Sequence, residues 1–380
     1  MNRELRLIVA IAAAGAIAGL GASVSMAQTT TNYTVIATGL NAPRGIKFGP
    51  DGDLYVAEAG KGGTNKTTTA QCDQVDPPPG PYTGGPTGSI SKVDRSGKVT
   101  VVASGLPSAI GAGGALEGVA DVAFLHGELY ALLAGGGCSH GNPSTPNGIV
   151  KIDTATGKWQ LVTDLSAFTK IHPGAYAAND EPDGDWYNMI VFEDHLTVVN
   201  PNGDVIAGID SHFQPHLLID VSASQGHAVT TSLTQHGDDL YVGTLFHFPI
   251  QPQQSRVLRV SNDGSIGDDQ IPGFQQRTPY YVADSKAGFT TLLKVAFGPN
   301  DGLLYALEFS DAAGDPGPGN GKVVRVSSTG TIEELASGLI LPGGMTFGPD
   351  GRMYVADGSA IPAPTFGQGR ILRIEVPPGD

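Results

Sequence analysis

The side chains with chemistry to offer are mostly acidic, and they recur at one position of a repeated strand. Counting five from the start of each Leu-Tyr-Val-type segment gives Glu58, Leu133, Asn200, Thr244, Glu308 and Asp357. An all-oxygen set suits a hard cation such as Ca²⁺, and a metal so placed would polarise a carbonyl for hydrolysis. Glu58, Asn200, Glu308 and Asp357 are therefore the candidate metal ligands. The competing reading is that they cap loop N–H groups and pair with nearby Arg or Lys. Three residues before an apolar anchor, a second series reads Gly45, Asp121, Met189, Thr230, Lys294 and Gly344. Asp121 and Lys294 suit a structural ion pair, with Lys294 as a catalytic base the sharper alternative. Arg44 either binds an anion bidentately or bridges to Glu58 or Asp357. Arg44, Asp121 and Lys294 are thus the catalytic candidates.

Other chemistry finds little support. His140, His172, His227 and His247 fall in or beside loops. His212 and His216 have metal-clip spacing only on a helix, and Pro215 argues against one there. There is no Gly-x-Ser-x-Gly elbow, P-loop or dinucleotide fingerprint.

These positions acquire meaning from the strands that carry them. The segment Ala42-Pro-Arg-Gly-Ile-Lys-Phe-Gly-Pro-Asp-Gly-Asp-Leu-Tyr-Val-Ala-Glu58 returns as Leu341-Pro-Gly-Gly-Met-Thr-Phe-Gly-Pro-Asp-Gly-Arg-Met-Tyr-Val-Ala-Asp357, with degraded copies between. Such a unit cannot bury its faces alone, so it implies an array, here an all-β propeller. Aligning the hairpins on Phe48, Phe124, Phe192, Leu233, Phe297 and Phe347 gives six blades. Blade 2 is expected near Gly118–Ser166, blade 3 near Trp186–Val221, blade 4 near His227–Phe274 and blade 5 near Thr290–Leu339. A hidden hairpin within 167–227 would make seven. Third strands with a period of two are expected at Gly88–Asp94, Gly148–Asp153, Arg256–Ser261, Lys322–Ser327 and Arg370–Glu375.

The last blade lacks a fourth strand, while Tyr33–Leu40 matches the fourth-strand copies Val99–Leu106 and Ile332–Leu339. Residues 33–40 are thus expected to close the ring, hiding two sheet edges. Naming the strands A to D from the channel outward, A–B and C–D turns share one face and B–C loops and D–A links the other. B–C insertions are expected at Ala59–Thr87, Ala134–Asn147, Leu245–Ser255, Phe309–Gly321 and Gly358–Gly369, and long D–A links at Ala167–Asp185 and Gln275–Phe289. All lie on the second face, which is where a site is expected. Cys72 and Cys138 sit in the insertions of adjacent blades and are expected to pair.

Residues 1–27 read as a signal peptide: Arg3 and Arg6, an apolar run Leu7–Leu20, and Ser25-Met26-Ala27 at the cleavage site. A secreted or periplasmic protein is expected, with 28–380 as one domain and no membrane attachment after cleavage. Removing Arg3, Arg6 and Glu4 leaves 20 basic and 36 acidic residues, which excludes nucleic acid as a natural partner. The 54 glycines and 27 prolines fall at turns, as in a turn-rich β chain.

The pattern Gly-Leu-x-x-Pro-Arg-Gly-Ile-x-Phe-Gly-Pro-Asp-Gly-x-Leu-Tyr-Val-Ala-Glu, the cysteine-containing insertion, the strand Gly-Ser-Ile-Ser-Lys-Val and the closing Gly-Gly-Met-Thr-Phe-Gly-Pro-Asp-Gly resemble the ScyD/ScyE family. Those are exported bacterial propellers named for an association with scytonemin biosynthesis. The likeness spans roughly Tyr33 to Val376, and single motifs are shared with NHL and gluconolactonase/regucalcin-like propellers. It implies an exported propeller; with the insert-rich B–C face, the expected function is a monomeric binding or accessory module taking a small molecule or protein there. It implies no established catalytic residues. Gluconolactonase/regucalcin-like enzymes hold a Glu/Asn/Asp metal site at a comparable location, so a calcium-dependent lactonase is the alternative. A quinone-dependent sugar dehydrogenase ranks third, because its anionic cofactor needs a cationic channel and this one reads as acidic.

Overall fold

The computed structural model describes residues 32–175, 181–260, 282–314, 316–359 and 368–378. Residues 1–27, read from the sequence as a signal peptide, lie outside them. Six antiparallel sheets account for the strands, five with four strands and one with five. Their innermost strands, Pro43–Phe48, Val119–Leu125, Asn188–Phe192, Thr230–His236, Leu292–Phe297 and Gly344–Phe347, each contact the next and the last contacts the first. The fold is a six-bladed propeller, and the described residues of 167–227 hold no hairpin beyond those of blade 3. Closure follows the expected route: Tyr33–Leu40 pairs antiparallel with Gly369–Ile374, from Tyr33 opposite Ile374 to Leu40 opposite Gly369.

Blade 4 departs from expectation. Its D strand is Val282–Phe289, so the blade does not end near Phe274 and its D–A link is only Thr290–Thr291. The connection from strand C to strand D is therefore residues 261–281, which lie outside the described residues. The strand phase also shifts in two blades. In blade 3 a tight turn at Glu193–Asp194 leaves Val191, not Phe192, opposite Leu196, and Phe192 is buried in the blade 3/4 core. In blade 4 Gln235 lies opposite Leu240, two residues beyond Leu233.

The core is a set of layers between blades. One cluster joins Tyr55, Ile90 and Leu106 of blade 1 to Val122, Leu129 and Val150 of blade 2, and another joins Tyr305 and Val323 to Met345 and Leu372. The Phe-Gly-Pro-Asp-Gly-x-x-Tyr motif builds these joints. In strand B, Tyr55, Tyr305 and Tyr354 donate their hydroxyls to Asp51, Asp301 and Asp350 of the turn at 3.0, 2.6 and 2.9 Å. The other oxygen of each aspartate accepts a turn N–H, from Asp53, Leu303 and Arg352. Burial and the accepting carboxylate push all three phenols up to about 12, so each stays a protonated donor. The ring so fixed meets the anchor phenylalanine of the following blade edge-on. Tyr55 meets Phe124 at 4.9 Å, Tyr305 meets Phe347 at 5.1 Å, and Tyr354 meets Phe48 at 4.9 Å; Tyr241 meets Phe297 at 4.8 Å.

Two glycines of the motif are obligatory for different reasons. A Cβ on Gly348 would stand 2.6 Å from the Tyr354 ring, and one on Gly298 would stand 2.8 Å from Tyr305. Gly52, Gly302 and Gly351 adopt φ of 79°, 66° and 75°, which L side chains resist. Cys72 and Cys138 form a disulfide across 6.2 Å between α-carbons, tying the largest insertion to blade 2.

Tyr305→Phe removes one hydroxyl–carboxylate bond and is expected to cost about 1 kcal/mol. Gly348→Ala overpacks the joint and is expected to cost about 1–3 kcal/mol. Urea-unfolding midpoints of the two variants check both the values and their order.

Candidate functional site

The B-strand carboxylates are each employed inside their own blade. Glu58 accepts the Asn41 N–H at 2.6 Å and the Ser91 and Ser89 hydroxyls at 2.5 and 3.3 Å. Glu308 accepts the Thr290 N–H at 2.9 Å and faces Lys322 Nζ at 3.2 Å. Asp357 accepts the Ile340 N–H at 2.7 Å and Arg370 Nε at 2.7 Å. Asn200 Oδ1 accepts the N–H groups of Asp185 and Asn202 at 3.3 and 3.2 Å. Asn41, Asp185, Thr290 and Ile340 all lie in links entering a strand A. The repeated residue therefore ties strand B to the D–A link, with strand C supplying serine hydroxyl donors to Glu58 and a cation to Glu308 and Asp357. Burial raises the carboxyls of Glu308 and Asp357, with Lys322 and Arg370 pulling them down. Among the described residues no group of three or more His, Cys, Asp or Glu could hold a metal ion. The structure thus does not bring Glu58, Asn200, Glu308 and Asp357 together on one point.

Arg44 has a different partner from the two expected. Its Nη1 donates to Glu117 at 2.9 Å and its Nη2 to the Leu116 carbonyl. Glu117 lies just before strand A of blade 2, where Asn41 stands before strand A of blade 1, so the pair links adjacent blades. Both side chains are buried. The guanidinium lies 5.7 Å from the ring centre of Tyr187. Burial opposes its charge, but Glu117 more than offsets this and holds its pKa above the usual arginine value.

Beside this pair the mouth is filled by the link entering blade 3. Ser139 in the blade 2 insertion donates its N–H and hydroxyl to Asp183 at 2.8 and 2.6 Å. His140 Nε2 lies 3.2 Å from Glu181, with both side chains buried. Burial works against the imidazolium, but Glu181 raises the His140 pKa on balance; burial also raises Glu181. The carboxyl oxygens of Asp185 are buried with no hydrogen-bond partner among the described residues. Burial first, then Glu117 and Glu181, raises its pKa well above the usual range. That upward shift is what placing three buried acids near one another produces. The other loop histidines bind locally: His227 to Asp204 at 2.7 Å and His247 to the His227 carbonyl at 2.5 Å. His212 lies in a turn and His216 in a strand, bonded to Asp210 at 3.1 Å, so the pair has no helical clip.

Deeper in the channel Lys294 Nζ meets Asp121 Oδ2 at 3.0 Å, as a buried ion pair. Asp121 also accepts the Met189 N–H at 3.0 Å and the Asn188 amide. A Cβ on Gly45 would occupy the space of the Asp121 carboxylate, so Gly45 is there to admit it. Two members of the expected ring are displaced: Asn188 and Ser232 stand at this level instead of Met189 and Thr230. Met189 is core between blades 2 and 3, and Thr230 falls two residues early because Gln235, not Leu233, holds the anchor place opposite Leu240. Glu117, Asp185, Tyr187 and Asn188 escaped sequence reasoning. No repeat position marks Glu117, which lies in the link before strand A of blade 2; the acidic series Glu181, Asp183, Asp185 was visible but read as a link.

With the geometry in hand, comparison with solved structures places the chain by fold. Regucalcin, a calcium-binding protein from Agrobacterium tumefaciens, superposes with a TM-score of 0.54 at 13% identity over 91% of this chain and 94% of its own. An auxiliary nutrient binding protein from Bacteroides thetaiotaomicron gives 0.52 at 12% over 89% and 69%. A gluconolactonase from Xanthomonas campestris gives 0.51 at 10% over 92% and 91%. No protein-family model and no curated protein matches the chain. These likenesses establish the propeller. The ScyD/ScyE resemblance rests on the repeat motifs alone.

Lys294→Met strands a buried carboxylate and is expected to cost about 3–5 kcal/mol, most of it restored in Asp121→Asn/Lys294→Met; a double-mutant cycle in urea checks this. Burial lowers the Lys294 pKa to about 8 against the pull of Asp121. Between about 8 and the ordinary 10.5 the unfolded chain binds more protons. Stability from this group is therefore present above 10.5 and lost as pH falls through 8, a slope that the Asp121→Asn/Lys294→Met variant should lack.

Proposed function

We propose that this chain is a secreted or periplasmic binding module, which takes a small molecule or protein on its insert-rich B–C face. The observation that carries this reading is the employment of Glu58, Glu308 and Asp357 as caps within their own blades. A lactonase of the calcium-dependent kind needs those oxygens free and converging. The mouth above them is packed with the Arg44–Glu117 pair and the link carrying Glu181, Asp183 and Asp185. That packing favours an outer binding surface over an open catalytic cleft. The same acids disfavour the dehydrogenase reading, because an anionic quinone would meet Glu117, Glu181 and Asp185 with one arginine among them. The disulfide suits an oxidising compartment, and no helix among the described residues is long and apolar enough to cross a membrane. A fold of this kind serves binding proteins and enzymes alike, so the side chains decide.

Calorimetric titration of the chelator-treated protein with calcium is expected to give no saturable heat. Tight one-site binding that disappears in Glu308→Gln/Asp357→Asn would overturn the reading and justify a screen of lactones.

A further inference from the structure

The opposite end of the channel is open. A cavity of about 430 Å³ is lined by the C-terminal halves of all six innermost strands, on the A–B side. That volume is in the range of small-molecule sites. Its aromatic wall is Phe48, Phe124, Phe297 and Phe347, the anchors of the blade joints, each left half-buried. Its lining contains two ammonium groups, Lys47 and Lys294, and no carboxylate. Asp121, beneath, neutralises one of them through Lys294. Lys47 has no ion pair among the described residues, and its charge is close enough to depress the Lys294 pKa. The cavity thus carries a net positive charge within a chain of net charge −15. Mutual repulsion of two partly desolvated ammonium groups is relieved by a bound anion, and the fixed phenylalanines offer faces and edges to a ring.

We propose that this vestibule is a binding site for a small aromatic carboxylate, held by Lys47 and Lys294 at its charged end and by the phenylalanine wall along its body. The site is independent of the B–C face. The cavity has room for one or two fused rings, so 2-naphthoate is the probe, with uncharged 2-naphthamide as its control. Two variants avoid the buried ion pair. Lys47→Met removes the free ammonium, and Gln235→Glu places a carboxylate on the exposed rim. Saturable binding of 2-naphthoate is expected by calorimetry or ligand-observed NMR, with the amide about tenfold weaker and each variant about fivefold to tenfold weaker, in the range for one charged contact. Thermal midpoints of the variants are expected to match the wild type. No saturation up to millimolar naphthoate overturns the proposal. Equal binding of acid and amide, or affinity unchanged in both variants, also overturns it. None of these outcomes bears on calcium or on the B–C face, so the two readings fail separately.

Discussion

The ring depends on one repeated contact: an aspartate in a turn holds a tyrosine hydroxyl, and the tyrosine so held meets the phenylalanine of the next blade. Each joint is modest, an aromatic pair being worth about 0.5–1.5 kcal/mol beyond its burial. Its importance is geometric. The turn aspartate fixes the ring to its own hairpin, and the T-shaped meeting with the next blade sets the angle at which sheets fan around the axis. Where the motif decays, the joint is improvised. Between blades 2 and 3, Tyr130 meets Phe213 from a C–D turn at 5.8 Å, and blades 3 and 4 present Val191 and Gln235 where the other four present phenylalanine.

That dependence explains what could be read from the sequence. The motif is local and repeated, so the blade count, the closing strand and the B–C boundaries at Leu133/Gly148, Thr244/Ser255 and Glu308/Gly321 follow from the residues themselves. Phase was lost where the motif is absent, because alignment by apolar type selected the core residues Phe192 and Leu233. The D strand Val282–Phe289 was missed because its distance from strand C, not its own pattern, was the unusual feature. Partners were legible only within a blade. Arg44 and Glu117 are 73 residues apart, on different blades, and no spacing rule in one hairpin relates them. The Lys294–Asp121 pair was guessable because a buried cation and anion on one inner ring have few other options. The carboxylate series was visible as a series, but repetition marks a structural duty as readily as a site.

The channel separates two electrostatic environments. Toward the B–C face, Glu117, Glu181 and Asp185 are buried near one another and Arg44, and burial with the neighbouring acids holds the Asp185 carboxyl well above its usual range. Toward the A–B face the lining carries only ammonium groups. Tyr187 is shared by both, its ring centre 5.7 Å from Arg44 and 5.6 Å from Lys294. Its hydroxyl donates to the Gly343 carbonyl at 3.3 Å, so one side chain ties blade 3 to blade 6 across the axis.

Closure by Tyr33–Leu40 has a consequence for assembly. The last blade pairs strands from nearly opposite ends of the chain, so every other sheet can form from neighbouring segments while this one cannot. Such long-range pairing is slow to form. Until it does, the outer edge of Gly369–Ile374 is an unpaired template, and Tyr33–Leu40 is a free strand that fits any copy of that edge. At high concentration during refolding, the closing strand of one molecule competes for the last blade of another. Strand-exchanged dimers and longer chains are the natural side products of a ring fastened this way.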